Sequence, residues 1–146
     1  MTFVVRDIPY DSGIYVLTVS LRDGREIEVG ARGSIFFPGG YYYYCGSAQK
    51  NLSARLSRHL RTEKKFHWHI DYLLAWAEVL NFHTWSAGRK GECRLASCLQ
   101  RLPGAEVVNS GFGASDCGCE THLIYFQEQL GENNFPDRLF SFGNES

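Results

Sequence analysis

The first third of the chain alternates apolar and polar positions with the period of a β-strand. The segment "GIYVLTVSL" at 13–21 is rich in β-branched and aromatic residues, which strands favour. Successive side chains of a strand point to opposite faces, so both faces of this segment can be assigned. We predict one face made of Tyr15, Leu17, Val19 and Leu21, and an opposite face made of Ile14, Val16, Thr18 and Ser20.

Turn sequences divide the next segment into returning strands. Asp23-Gly24 is a strong hairpin-turn sequence, and the alternating segment "REIEVG" follows it. After "SIFF", a proline and two glycines at 38–40 form a further turn that leads into "YYYYCG". Strands joined by short turns pair antiparallel, so we predict a small, mainly antiparallel sheet with a three-strand meander as its core.

A helical period begins after the tyrosine-rich strand. Asn51 is a favourable N-cap residue for this helix. Arg55 and His59 are four residues apart and therefore lie together on a face next to the apolar one. The apolar stripe itself is made of Leu52, Leu56 and Leu60.

Helices and strands alternate through the second half of the chain. This mixture predicts an α+β fold in which helices flank the small antiparallel sheet. We place a single domain at 1–130 and a C-terminal tail at 131–146. The later elements are predicted as a helix at 69–77, a strand at 78–86, a helix at 91–102 and a strand at 121–126.

Length and composition fit one compact domain. The chain has 146 residues, of which 44% are hydrophobic, enough to build one core. No apolar run approaches the ~20 residues of a membrane helix, and the first residues lack a signal-peptide pattern. The five cysteines are odd in number and irregular in spacing, which is typical of reduced thiols. We therefore expect a cytoplasmic protein that contacts no membrane and uses no organic cofactor.

Charge is segregated along the chain although the net charge is only -1. The segment 50–65 holds six basic residues against the single acid Glu63, whereas the segment after Glu120 is acidic. A local basic patch of this kind is compatible with nucleic-acid contact, but an ordinary solvated helix face has the same composition. The basic residues are Lys50, Arg55, Arg58, Arg61, Lys64 and Lys65.

Six segments, in order, resemble the GIY-YIG nuclease superfamily. "GIYVL" begins the first strand, and "GGYYYYCGSA" contains the counterpart of the second motif, directly before the basic helix. The other segments are "ARLSRHLR", "HWHIDYLL", "ECRLA" and "GFGASDCGCETHLIYF", so the resemblance covers most of the chain. It is closer to the Uri-type branch, a group of small bacterial and archaeal proteins largely of unknown function.

The resemblance implies a metal-dependent endonuclease that hydrolyses phosphodiester bonds in nucleic acid. DNA is the expected partner, and repair or recombination is the expected setting. Glu92 matches the glutamate that binds the metal, which is expected to be Mg²⁺ or Mn²⁺. The residues that match the catalytic positions are Tyr15, Tyr44, Arg55 and His59. Beside them, the residues expected to hold the nucleic-acid backbone are Arg58, Arg61, Lys64 and Lys65.

Two departures from the family pattern bear on these expectations. Cys45 stands where the second motif usually has an aliphatic residue, and its side chain is expected to face away from the site. The connection between Tyr15 and Tyr44 is longer than in many family members, which can reshape the surface that faces the substrate.

The physical chemistry of the implied residues leaves one role open. Arg55 offers a fork of donors that suits phosphate oxygens. An unperturbed tyrosine phenol has a pKa of ~10, so Tyr15 needs a nearby cation to lower its pKa if it acts as a base. Alternatively, Tyr15 only orients the attacking water. Glu92 continues the apolar stripe of its helix, where a carboxylate is either a partner of the helix dipole or a metal ligand. A single glutamate is enough for the second role, because Mg²⁺ commonly takes only one or two protein carboxylates.

Two other function classes compete with the nuclease. A nucleic-acid-binding module without turnover would keep the same fold, with Tyr15 and Tyr44 as packing aromatics. A structural metal-binding protein would use the pattern Cys117, Cys119 and His122, with Cys93 as a fourth ligand. Zinc ligands more usually come in pairs with other spacings, so we favour packing for these cysteines and predict no tightly bound zinc.

Overall fold

The computed structural model describes residues 11–61, 69–86, 88, 90–112 and 121–131. Within these ranges the chain has the predicted α+β fold, and none of its helices is long and apolar enough to cross a membrane. The helices are α1 (Leu52–Leu60), α2 (His69–Leu74) and α3 (Lys90–Gln100). The strands are β1 (Gly13–Leu21), β2 (Arg25–Glu28), β3 (Ser34–Phe37), β4 (Gly40–Ala48), β5 (Glu78–Trp85) and β6 (Leu123–Phe126).

The strand order corrects the predicted meander. A four-stranded antiparallel sheet has the order β5-β1-β4-β6, while β2 pairs with β3 in a separate two-stranded sheet. Turn sequences tell which strands follow each other, but not which strands are buried on both faces. β1 is buried along nearly its whole length and therefore takes a central place. Ile27 is the one buried residue of β2, and its side chain packs into the larger cluster of buried side chains.

The two faces of β1 pack into different layers, as the alternation predicted. Tyr15, Leu17, Val19 and Leu21 join one cluster of buried side chains, which includes Leu52 and Leu56 of α1 and Ile70 and Leu73 of α2. On the opposite face Ile14 and Val16 pack with Cys45 and with residues of α3, which are Leu95, Ala96 and Leu99. The α1 side and the α3 side of the sheet are therefore distinct environments.

Helix α1 begins where the sequence predicted, but for a different local reason. Asn51 occupies the N-cap position in the left-handed region, with φ 58°, and its side chain makes no capping hydrogen bond. Asparagine is one of the few residues that adopt this region readily. The backbone N–H of Asn51 donates instead to Oδ1 of Asp11, at 3.0 Å, and the N–H of Leu52 donates to the Asp11 carbonyl. Asp11 therefore fixes the entry into the helix.

Candidate active site

A buried tyrosine–histidine pair lies on the α1 side of the sheet. Tyr15 of β1 is 2% exposed and His59 of α1 is also 2% exposed. The Tyr15 hydroxyl and Nε2 of His59 are 2.8 Å apart, which is a hydrogen bond. Tyr44 of β4 packs against the same imidazole, with ring centroids 6.0 Å apart. The structure thus brings together three of the four residues predicted as catalytic.

Gly46 makes room for Tyr15. The two residues are cross-strand partners in the β1–β4 ladder, and the phenol ring lies over the glycine. A Cβ atom at residue 46 would lie 2.4 Å from Cζ and 2.4 Å from the hydroxyl oxygen of Tyr15. Such a contact is far inside van der Waals distance, so the glycine that follows Cys45 is a packing requirement of the site.

We expect Gly46→Ala to displace the Tyr15 ring and lower the free energy of unfolding by about 1–3 kcal/mol, the usual cost of overpacking. The matched control is Gly88→Ala, because a Cβ at that residue would have no atom within 4 Å. Urea unfolding of both variants measures the difference. Equal stability of the two variants would show that the Tyr15 ring moves aside at little cost.

Both tyrosines are neutral phenols at physiological pH. Burial raises the pKa of Tyr15, and the charge and hydrogen bond of Arg55 only partly oppose this shift. Burial likewise raises the pKa of Tyr44 well above its ordinary value, and the neighbouring Tyr15 adds to that shift. Of the two roles that the sequence left open for Tyr15, ionised base and water orienter, these pKa shifts disfavour the ionised base. In the His59 tautomer that is protonated at Nδ1, Nε2 accepts the hydrogen bond from the phenol and can receive its proton.

Arg55 reaches from α1 to the end of β4. Its Nη1 donates to the main-chain oxygen of Ser47, at 2.8 Å, and the guanidinium is half-buried. Arg55 also shares a side-chain hydrogen bond with Tyr15. Arg55 therefore joins the Tyr15–His59 pair as the cationic member of the site.

Glu92 lies at the start of α3 with both carboxylate oxygens engaged. Oε1 accepts a hydrogen bond from the Ser47 hydroxyl, at 2.5 Å, and Oε2 lies 2.6 Å from Nδ1 of His122. The second contact is a close approach of the carboxylate to the imidazole edge, in which Oε2 lies off the direction of a straight N–H bond. The Glu92 side chain is 19% exposed, so the carboxylate faces the surface at the end of the sheet.

Ser47 connects the two halves of the site. Its side chain points to the α3 side and donates to Glu92, while its carbonyl accepts from Arg55, which comes from the α1 side. Sequence reasoning missed Ser47, although its place three residues after Tyr44 put it on the α3 face of β4. Sequence reasoning also considered His122 only with the cysteines and not as a partner of Glu92. Cys45 faces the α3 side, away from Tyr44 and the Tyr15–His59 pair but on the same side of the sheet as Glu92.

The residues predicted to bind the nucleic-acid backbone differ in their surroundings. Arg58 forms a two-pronged ion pair with Asp71, with N–O distances of 3.0 and 2.9 Å, and Asp71 is completely buried. This contact gives Arg58 a structural role, whereas Arg61 is exposed directly after α1. Lys64 and Lys65 lie outside the described residues. The backbone-binding role of all four stays a prediction.

Arg58→Ala is expected to lower the free energy of unfolding by about 3–5 kcal/mol, because it removes the charge partner of a buried carboxylate. Arg61→Ala is the control, since an exposed substitution usually changes stability by about 0.5 kcal/mol or less. Chemical denaturation of both variants tests this. Equal stabilities would show that the ion pair with Asp71 does not give Arg58 a structural role.

The donor set around Glu92 is compatible with a hard divalent cation. The described part of the chain contains no group of three or more histidine, cysteine, aspartate or glutamate side chains arranged to hold a metal. Mg²⁺, however, commonly uses one or two protein carboxylates and fills its other positions with water and substrate phosphate. Each Glu92 oxygen has a second lone pair beyond the contact to Ser47 or His122. One partly exposed carboxylate therefore fits such an ion.

Comparison with known proteins gives one family. The model of the family described as "Domain of unknown function DUF123" matches residues 14–141, which includes all of the site and extends into the predicted tail. No curated protein and no solved structure matches this chain. The family description names no activity for this domain.

Proposed function

The chain belongs to the DUF123 family, and we propose that it is a metal-dependent endonuclease that hydrolyses phosphodiester bonds in nucleic acid. The proposed substrate is DNA, the proposed cofactor is Mg²⁺ or Mn²⁺, and the proposed location is the cytoplasm. The observation that carries the proposal is the meeting of Arg55 and Glu92 at Ser47, with Arg55 beside the Tyr15–His59 pair. A proton acceptor, a cation and a carboxylate are the groups that this hydrolysis needs.

The Tyr15–His59 pair handles the proton of the attacking water. The neutral phenol of Tyr15 holds the water through its oxygen and donates its own proton to Nε2 of His59. As the water oxygen attacks phosphorus, its proton passes to the Tyr15 oxygen and the phenol proton passes to the imidazole. This relay keeps Tyr15 neutral, in agreement with its raised pKa.

Arg55 stabilises the charge that develops on the phosphoryl oxygens. A guanidinium presents a planar fork of donors, and its bond to the Ser47 carbonyl fixes its direction before the substrate arrives. Preorganised donors of this kind are usually the largest single contribution to catalysis. Glu92 would hold the divalent ion, which supplies charge to the phosphate and to the leaving oxygen when bound.

A second candidate is a nucleic-acid-binding module without turnover. It is favoured by the engagement of both Glu92 oxygens, because a carboxylate held by Ser47 and His122 is already satisfied without a metal. Such a module would bind nucleic acid in the presence of chelator and would never cleave it.

The two candidates are separated by a cleavage screen. Labelled DNA in single-stranded, double-stranded, branched and damaged forms is incubated with the protein and Mg²⁺ or Mn²⁺, with chelator as the control. We expect cleavage of at least one form that stops when the metal is removed. Binding without cleavage of any form would favour the non-catalytic module.

A further inference from the structure

Cys93 and His122 meet beside the proposed active site without being needed for it. Sγ of Cys93, near the start of α3, lies 3.7 Å from Nε2 of His122, which precedes β6. His122 is 1% exposed, whereas Cys93 is partly exposed. A small ion can therefore reach the thiol from solvent, and the imidazole is held in the protein interior.

The distance between the two atoms suits a shared zinc ion. Zinc binds sulfur at about 2.3 Å and imidazole nitrogen at about 2.0–2.1 Å, so two ligands of one tetrahedral ion lie about 3.6 Å apart. The observed 3.7 Å is a thiol–imidazole hydrogen-bond distance and also agrees with the spacing of two zinc ligands. A thiolate and an imidazole are the ligands that zinc and cobalt prefer.

The other ring nitrogen of His122 faces a carboxylate. Nδ1 lies 2.6 Å from Oε2 of Glu92, and two lone pairs would repel at this distance, so Nδ1 carries the proton. Nε2 then accepts the hydrogen bond of the Cys93 thiol, and a metal that displaces the thiol proton would take the place of that proton between sulfur and nitrogen. A carboxylate that holds the second nitrogen is the usual support of a histidine bound to metal.

The backbone fixes His122 on both sides of its α-carbon. Its N–H donates to the Phe112 carbonyl at 2.9 Å, and its carbonyl accepts from the N–H of Cys45, also at 2.9 Å. Cys93 is held by α3, which packs on the same face of the sheet. Both ligands are thus placed by rigid elements, which is what a binding site of fixed geometry needs.

We propose that Cys93 and His122 bind a thiophilic divalent cation of the zinc class, with Glu92 as the carboxylate that orients His122. The described residues supply these two ligands and no group of three, and water or other side chains complete the coordination. Cys117 and Cys119 lie outside the described residues and take no part in the assignment. The proposal departs from the sequence-based prediction of no tightly bound zinc, while the site considered there for Cys117, Cys119 and His122 stays untested. The proposal does not depend on nuclease activity.

Cobalt titration of the whole, reduced protein tests the site without nucleic acid. We expect one equivalent of Co²⁺ to give a thiolate charge-transfer band that one equivalent of Zn²⁺ removes. Cys93→Ser and His122→Gln are each expected to weaken cobalt binding tenfold or more. Cys98→Ser is the matched control, because this cysteine of α3 lies five residues, or about 140° of helix rotation, from Cys93.

A rescue variant separates ligation from packing. His122→Cys replaces one zinc ligand by another, so it is expected to bind cobalt more tightly than His122→Gln, although a small thiol fills the buried space no better. Thermal unfolding without metal identifies any variant that fails to fold. Absence of binding by the wild-type protein would overturn the proposal. Wild-type affinity in both Cys93→Ser and His122→Gln would overturn it as well, leaving a packing contact.

Discussion

Replacing Glu92 by glutamine is expected to abolish metal-dependent cleavage while leaving the fold and nucleic-acid binding intact. The amide has nearly the same shape: its oxygen can still accept the hydrogen bond from Ser47, and its NH₂ can donate to Nδ1 of His122 once the imidazole carries its proton on Nε2. The amide has no charge with which to hold Mg²⁺. A catalytic metal contributes several kcal/mol, and each ~1.4 kcal/mol is a factor of ten, so the rate should fall by about a thousandfold or more.

The control for this variant is Glu28→Gln, which neutralises an exposed carboxylate on the separate β2–β3 sheet. Both variants lose one negative charge, so a general electrostatic effect on nucleic-acid binding would appear in both. Single-turnover cleavage and Mn²⁺ affinity are measured for each. If Glu92→Gln cleaves like the wild type, Glu92 has no place in the chemistry, and the metal has to be held elsewhere.

Local features of this fold could be predicted from the sequence because each depends on neighbouring residues. The alternation in β1 placed Tyr15 on the face that packs against α1. The four-residue spacing of Arg55 and His59 put both on the side of α1 that meets the end of the sheet. Periodicity contains this information, since it states which side chains share a face.

The contacts that complete the site could not be predicted because they join distant parts of the chain. Ser47 comes from β4, Glu92 from α3 and His122 from the residue before β6, and only the strand order brings them together. The turn sequences favoured a meander, in which β1 would pair with β2 instead of β4. The ion pair of Arg58 could not be predicted either, because the helix period does not reveal that the buried Asp71 is its partner.

The role of Arg55 rests on its position between the tyrosine–histidine pair and the end of β4. Its charge partly opposes the effect of burial on the pKa of Tyr15, and its Nη1 is held by the Ser47 carbonyl. Arg61 is exposed directly after α1, where a charge can attract the nucleic-acid backbone from solvent. A contact made mainly in the transition state lowers turnover, whereas a backbone contact lowers affinity, so the two arginines should differ measurably.

Arg55→Ala is expected to reduce the single-turnover cleavage rate by about a hundredfold or more, the scale observed when one preorganised donor is lost. Its binding should change only modestly. Arg61→Ala should bind more weakly, with the slope of log affinity against log salt reduced by roughly one unit, and cleave normally once bound. Saturating substrate is needed for both variants, because lost binding would otherwise be mistaken for lost chemistry.

Arg55→Lys separates the charge of Arg55 from its shape. A lysine keeps the positive charge near Tyr15 but lacks the planar fork that fits two phosphoryl oxygens, so its cleavage rate should lie between those of the alanine variant and the wild type. If the lysine variant is as slow as the alanine variant, the geometry of the guanidinium dominates. If it is as fast as the wild type, the positive charge alone suffices. If Arg55→Ala itself cleaves normally at saturation, Arg55 is only another phosphate anchor. The tyrosine–histidine pair would then lack its cation, and the binding module would describe the protein better than the nuclease.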